Sequence, residues 1–198
     1  MTETEPNPWR TLSTETRYEN PWIRVTHHDV VTPTGKPGIY GKVHMKGHAL
    51  GALPVFDDGT TVLVGQFRYT LGAYSWEIPE GGGPHGEAPL AAAQRELLEE
   101  TGLTARHWRH LAAFHTSNSV TDEAGDCFVA WGLAQEAPQP DDTEVLRLRR
   151  LPLREACAMA ADGRITDAIT LIALQRLELL ALRGDLPDDL LAAARRGL

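Results

Sequence analysis

Apolar residues recur along this chain with two different periods, and the change from one to the other outlines its elements. From Trp22 to Thr32 the run W-I-R-V-T-H-H-D-V-V-T alternates as a half-buried strand should. Pro33-Thr34-Gly35-Lys36-Pro37-Gly38 is a turn cluster. Tyr40 to Phe56 reads as a second long extended region, with Gly41, Gly47 and Gly51 as candidate bends or bulges. Asp57-Asp58-Gly59 predicts a hairpin turn into a strand over Thr61–Tyr69, and Ser75–Pro79 predicts a short strand. The period then lengthens: Leu90, Ala93 and Leu97 form an i, i+3, i+7 stripe, the mark of a helix that docks on something.

Beyond that helix, Arg106–His115, Cys127–Ala134 and Val145–Leu151 read as strands. A polar loop over Ser117–Asp126 and a Pro-rich connection over Gln135–Asp142 separate them. Three helical segments finish the chain, Leu153–Ala161, Thr166–Leu182 and Pro187–Arg196, broken at Asp162-Gly163 and Gly184-Asp185. Residues 1–20 are polar and show no period, so they are expected to be extended or partly mobile. Strands, a helix, strands and then helices predict an α+β domain, layered α/β/α around a mixed sheet.

Composition narrows the function. At 198 residues and 42% hydrophobic content the chain suits one cored domain, with room for a short appended element. A formal charge of −8 and a pI near 5.4 argue against a nucleic-acid partner held by a broad basic surface. Cys127 and Cys157 offer neither a disulfide framework nor a zinc pattern, which predicts a reducing cytoplasm. The start, MTETEPNPWR, has no apolar signal region, and Gln175, Arg176 and Glu178 interrupt the most apolar late segment, so no membrane association is expected. His44 and His48 have the spacing of a helical ligand pair but lie in a stretch that reads as strand, and His27-His28 reads as ordinary strand surface.

Chemistry is concentrated between Gly81 and Leu103. At about 100° per residue, Glu96, Glu99 and Glu100 share one side of the predicted helix. Acidic triplets are often just a solvated helix face. Here the apolar stripe beside them forces the helix to dock, and crowded carboxylates then call for a positive partner. A hard divalent cation, Mg²⁺ or Mn²⁺, matches an all-oxygen ligand set. Glu87 and Pro89 suit the first turn, Gly102 suits the position past the helix end where φ is positive, and Arg95 can pair with Glu99 at i, i+4.

The same segment resembles the Nudix box, G-x5-E-x7-R-E-U-x-E-E-x-G-U with U apolar. Gly81, Glu87, Arg95, Glu96, Leu97, Glu99, Glu100, Gly102 and Leu103 fill all nine specified positions, within 23 of the 198 residues. The resemblance implies the Nudix fold, a mixed sheet between helices, and divalent-metal-dependent hydrolysis of a nucleoside diphosphate linked to another moiety. It implies Glu96 and Glu100 as metal ligands with Glu99 close behind, Glu99 and Glu100 as catalytic carboxylates, and the backbone carbonyl of Glu80 as a further ligand. Glu87, Arg95 and Gly102 are implied as structural. Gly81, Gly82 and Gly83 would allow tight turning and close approach of the backbone to phosphate.

Outlying features resemble the ADP-ribose pyrophosphatase-like, nucleotide-sugar branch of that family. These are Q-F-R-Y at 66–69, S-W-E-I-P-E at 75–80 and D-G-R-I-T-D-A-I-T at 162–170. In that branch an N-terminal antiparallel strand extension, here residues 1–50, forms a dimer interface ahead of a catalytic domain, here 51–198. The resemblance therefore implies a homodimer. Arg68 is a candidate phosphate contact or a solvated strand arginine, and Trp22 a candidate nucleobase platform or a core residue. The general base falls to Glu123 on the S-N-S-V-T-D-E loop, with Asp122 as its rival and a plain surface loop as the alternative. Ser117-Asn118-Ser119 stands where ADP-ribose hydrolases carry a Ser-Pro-Gly loop, which leaves other nucleotide sugars open as substrates. A broad housecleaning nucleotide hydrolase, or a sensor that binds nucleotide sugar without turnover, are the competing readings.

Overall fold

The structure is a computed structural model that describes residues 5–136 and 145–198, so most of the Pro-rich connection lies outside the described residues. The chain divides into two compact units, and the smaller contains the described residues through Gly47 together with His115–Ala124.

In the smaller unit β1 (Arg10–Glu19), β2 (Ile23–Val31) and β3 (Pro37–Met45) form an antiparallel sheet in the order β1-β2-β3. Of the two expectations for residues 1–20, the extended one holds over Arg10–Glu19, a ten-residue strand paired along β2 from Arg10↔Val31 to Glu19↔Arg24. Its sequence, R-T-L-S-T-E-T-R-Y-E, shows no burial pattern because every residue of β1 is exposed. Ladder hydrogen bonds, two bulges and β-branched threonines hold it in place without a buried face. The 115–124 segment joins β3 through Val43 N–H to Val120 O (2.9 Å) and Tyr40 Oη–H to Ser119 O (2.7 Å).

Apart from the terminal residues Gly47, His115 and Ala124, the larger unit holds β4 (Gly47–Pro54), β5 (Thr60–Arg68), β6 (Ala73–Glu77), β7 (Glu80–Pro84), α1 (Pro89–Thr101), β8 (Leu103–His115), β9 (Ala124–Gln135), β10 (Arg147–Pro152), α2 (Leu153–Ala161), α3 (Ala168–Arg183) and α4 (Asp188–Gly197). One sheet runs β7-β4-β9-β8, with β4 parallel to β9, and a second runs β10-β5-β6. Strand alternation sorts the core. Leu50 and Ala52 of β4 face Ala92, Ala93 and Leu97 of α1, whereas Leu53 and Val55 face Met159, Leu174, Leu177 and Leu190 of α2, α3 and α4. Helices therefore cover both faces of a mixed sheet, and the α/β/α expectation holds.

The Asp57-Asp58-Gly59 turn forms, with Gly59 N–H on Phe56 O (2.9 Å), but it is not a hairpin, because β4 and β5 enter different sheets. Gly51 does not bend its strand. A Cβ there would sit 2.5 Å from Ile169 Cγ2, so the absent side chain lets α3 approach β4 closely.

Candidate active site

α1 begins with Pro89, whose missing N–H is one of the helix's unpartnered donors in any case, and it ends at Gly102 with φ 68° and its N–H on Leu98 O. Its inward face is Ala92, Ala93, Leu97, Glu100 and Thr101. Leu90, expected in the docking stripe, is 38% exposed instead. Burying Leu97 contributes about 1.5–3 kcal/mol. This packing fixes the rotation of the helix and therefore the direction of its acids.

Those acids meet β7. The glycine trio was expected to turn, yet Gly81, Gly82 and Gly83 are extended strand residues, absent from the positive-φ glycines. What they supply is room. A Cβ on Gly81 would lie 2.3 Å from Glu96 Cδ, and one on Gly83 would lie 2.9 Å from Ala92 Cβ. Gly82 faces open space. One residue earlier, the Glu80 backbone N–H donates to Glu100 Oε2 at 3.0 Å. Glu96 and Glu100, one helical turn apart, are thus seated on successive residues of one strand.

Arg95 ties the loop before α1 to this face. It donates to Glu96 Oε1 (2.7 Å), Glu99 Oε2 (2.9 Å), Gly82 O (3.1 Å) and Glu87 Oε2 (3.3 Å). Glu87 precedes the helix, outside the first turn expected for it, and its carboxylate accepts from Arg95 of the helix. Glu96, Glu99 and Glu100 offer only oxygen, the ligand chemistry of a hard cation such as Mg²⁺ or Mn²⁺, but among the described residues the carboxylates whose oxygens lie within 4.8 Å of one another are Glu77, Glu80 and Asp167.

A second cluster adjoins the first and was missed by sequence reasoning. Arg68, read as a phosphate contact or a solvated arginine, aims Nε at both carboxylate oxygens of Glu77 (3.0 Å each) and Nη2 at Glu80 Oε1 (3.0 Å). Asp167, the N-cap of α3, completes the group, its Oδ2 accepting from Thr170 N–H at 2.7 Å. Thr170 Oγ1 in turn accepts from Ile78 N–H at 2.9 Å, clamping the β6–β7 turn to α3. Burial, then the charges of Asp167 and Glu77, push the Glu80 carboxyl well above the ordinary carboxylate range, against the pull of Arg68. The S-W-E-I-P-E run contained Glu77 and the D-G-R-I-T-D-A-I-T run contained Asp167, but neither run pointed to a role for these side chains.

The remaining candidates lie in the smaller unit. Asp122 is fully engaged: its oxygens accept from Met45 N–H (3.0 Å), His44 Nδ1–H (2.7 Å) and Lys42 Nζ (3.1 Å). Partial burial alone would raise its carboxyl, but the Met45 N–H, Lys42 and His44 outweigh that and hold it at about 2. Glu123 accepts from Thr116 Oγ1 at 2.6 Å. His28, expected as plain strand surface, joins a polar chain, with Nδ1 3.0 Å from Thr14 Oγ1 and Nε2 2.8 Å from the buried Thr26 hydroxyl. Trp22 lies before β2 and is 72% exposed, so it is not a core residue.

Comparison with known proteins identifies the family. Residues 45–173 match the NUDIX domain model, and residues 9–43 match the nucleoside diphosphate sugar hydrolase N-terminal domain. An ADP-ribose pyrophosphatase of Bacillus subtilis (strain 168) is 34% identical over 172 residues, covering 86% of this chain and 92% of that protein. A methanol dehydrogenase activator of Bacillus methanolicus is 33% identical over 172 residues, with the same coverage. The crystal structure of an ADP compounds hydrolase shares the fold, with a TM-score of 0.79 at 24% identity over 92% of this chain and 99% of that one. With its box complete and its carboxylates seated on β7, the chain belongs to the Nudix family.

Proposed function

We propose that this protein hydrolyses the pyrophosphate bond of a nucleoside diphosphate linked to another moiety, with ADP-ribose or a related nucleotide sugar as the substrate class. The observation that carries this reading is the seating of Glu96 against Gly81 and of Glu100 on the Glu80 N–H, which fixes two carboxylates beside an open, side-chain-free strand. The complete set of box acids favours turnover over a sensor that only binds.

In this reading Glu96, Glu99, Glu100 and the Glu80 carbonyl hold Mg²⁺ or Mn²⁺. The bound cation would neutralise charge on the phosphate oxygens and lower the pKa of a coordinated water. Gly82, with open space where a Cβ would point, lets a phosphate approach the backbone. Arg68, committed to Glu77 and Glu80, acts as a positioning residue for the strand that carries the carbonyl. Of the two loop acids considered for the general base, Glu123 is favoured over Asp122. A carboxyl held at about 2, as Asp122 is, accepts a proton poorly at neutral pH. Trp22 offers an exposed aromatic face on which a base could stack. Water adds across the P–O–P bridge, leaving a nucleoside monophosphate and the phosphorylated second moiety.

Residues 1–50 serve as a dimerisation element for a catalytic domain over 51–198. The support is an entirely exposed β1 and the outward Leu12, Tyr18 and Ile39 of that sheet. A cytoplasmic location suits two thiols that are not paired with each other, and among the described residues no helix is long and apolar enough to cross a membrane. The test is a panel of nucleoside diphosphate-linked compounds with product identification. Release of a monophosphate from at least one nucleotide sugar supports the reading. Cleavage confined to nucleoside triphosphates would replace it with the housecleaning alternative.

A further inference from the structure

In the hydrolysis proposed above the side chains of Glu77 and Glu80 serve only to anchor Arg68 and that of Asp167 has no part, yet their geometry is demanding. One oxygen from each lies within 4.8 Å of the others. Glu77 is 3% exposed and Glu80 9% exposed at the side chain, and Glu80 Oε2 is buried with no hydrogen-bond partner. As ionised carboxylates Glu80 and Asp167 are both acceptors, so neither can satisfy the other.

Charge points the same way. Three carboxylates share the single guanidinium of Arg68, so ionising all of them leaves a surplus of negative charge that one arginine does not balance. Like charges repel more strongly inside a protein than in water, because the surroundings there screen them less. A divalent cation carries the missing charge. Hard cations bind oxygen at about 2.0–2.6 Å, so ligands on opposite sides of one ion stand roughly 4–5 Å apart, and this cluster already falls within that span.

We propose that Glu77, Glu80 and Asp167 hold a hard divalent cation through their side-chain oxygens, at a site separate from the box carboxylates. The ligands come from the end of β6, the start of β7 and the N-cap of α3, so the ion pins the β6–β7 turn to the C-terminal helices. It acts beside the Ile78–Thr170 hydrogen bond and steadies the residue whose N–H holds Glu100. The proposal does not depend on the hydrolysis reading.

Mn²⁺ is the probe, titrated into the full chain with free ion followed by electron paramagnetic resonance and with thermal unfolding recorded in parallel. In a chain carrying Glu96→Gln and Glu100→Gln, about one equivalent of Mn²⁺ should still bind and raise Tm. Adding Asp167→Asn, which keeps a good N-cap oxygen, should weaken that binding at least tenfold and abolish the Tm rise. Glu80→Gln should do the same and guards against a folding defect in either variant. No Mn²⁺ bound by the box double variant would overturn the proposal. So would binding and a Tm response unchanged by both Asp167→Asn and Glu80→Gln. Neither readout uses catalytic activity, so failure here and failure of the hydrolase assignment are told apart.

Discussion

Glu80 belongs to two carboxylate groups, and they handle the same electrostatic problem differently. Its backbone N–H holds Glu100 of the α1 group, while its side chain belongs with Glu77 and Asp167. In the α1 group one arginine, Arg95, is shared among Glu87, Glu96 and Glu99, and Glu99 is 38% exposed at the side chain. Water screens Glu99 there, while the more buried Glu96 and Glu100 are held by Arg95 and the Glu80 N–H. In the other group Arg68 meets Glu77 and Glu80 out of water, and the surplus must be met by a proton or an ion. Similar residues thus make an open ligand set in one place and an internal tie in the other.

The contrast can be broken by experiment. Its largest expected effect is in Glu100→Gln, which should lower kcat by about two to three orders of magnitude, the scale of losing one preorganised electrostatic contact, while the circular dichroism spectrum stays native. A near-normal rate would remove Glu100 from the ligand set. Next is stability: Arg68→Met should cost about 3 kcal/mol in urea unfolding by stranding buried carboxylates, whereas Arg95→Met should cost about 1 kcal/mol or less. Equal losses would erase the distinction between the groups.

Gly81→Ala places a methyl 2.3 Å from Glu96 Cδ and should raise the Mg²⁺ concentration for half-maximal activity about tenfold, the lower end for disturbing the surroundings of a metal ligand. An unchanged metal dependence would mean that the seat of Glu96 is not functional. The smallest effect concerns Asp122. The folded carboxyl keeps its charge down to about 2, while the unfolded one takes up a proton near its ordinary 3.8. The unfolded state therefore binds more protons in between, and the stability from this contact, complete above pH 4, drains away as the pH falls towards 2. Asp122→Asn should flatten that part of the acid-unfolding profile relative to the parent, and identical profiles would contradict it.

The box was legible because its information is local. Nine positions within one strand–loop–helix segment carry the motif, and helix periodicity alone brings Glu96, Glu99 and Glu100 to one side. The three C-terminal helices were legible for the same reason, and the structure places them within two residues of expectation. Asp167 was not, because the fold brings it to Glu77 across most of the domain, through a clamp between Ile78 and Thr170 that no periodicity reports. β1 was expected only as extended chain within an N-terminal strand extension, without bounds, because a strand exposed along its whole length has no apolar alternation to read. The glycines misled in a different way. Their residue type allowed a turn, but their use is steric, making room for Glu96 and Ala92, and that is visible only once α1 is docked.

The central claim is metal-dependent cleavage of a nucleoside diphosphate-linked substrate, and its most direct test is product analysis with and without chelator. The purified chain is incubated with ADP-ribose and a set of nucleotide sugars in Mg²⁺, and the products are resolved by chromatography. The account predicts a nucleoside monophosphate and an equimolar phosphorylated partner in Mg²⁺, and neither product once excess chelator is present. Equal turnover in chelator, or no cleavage of any member of the set in Mg²⁺ or Mn²⁺, would contradict it.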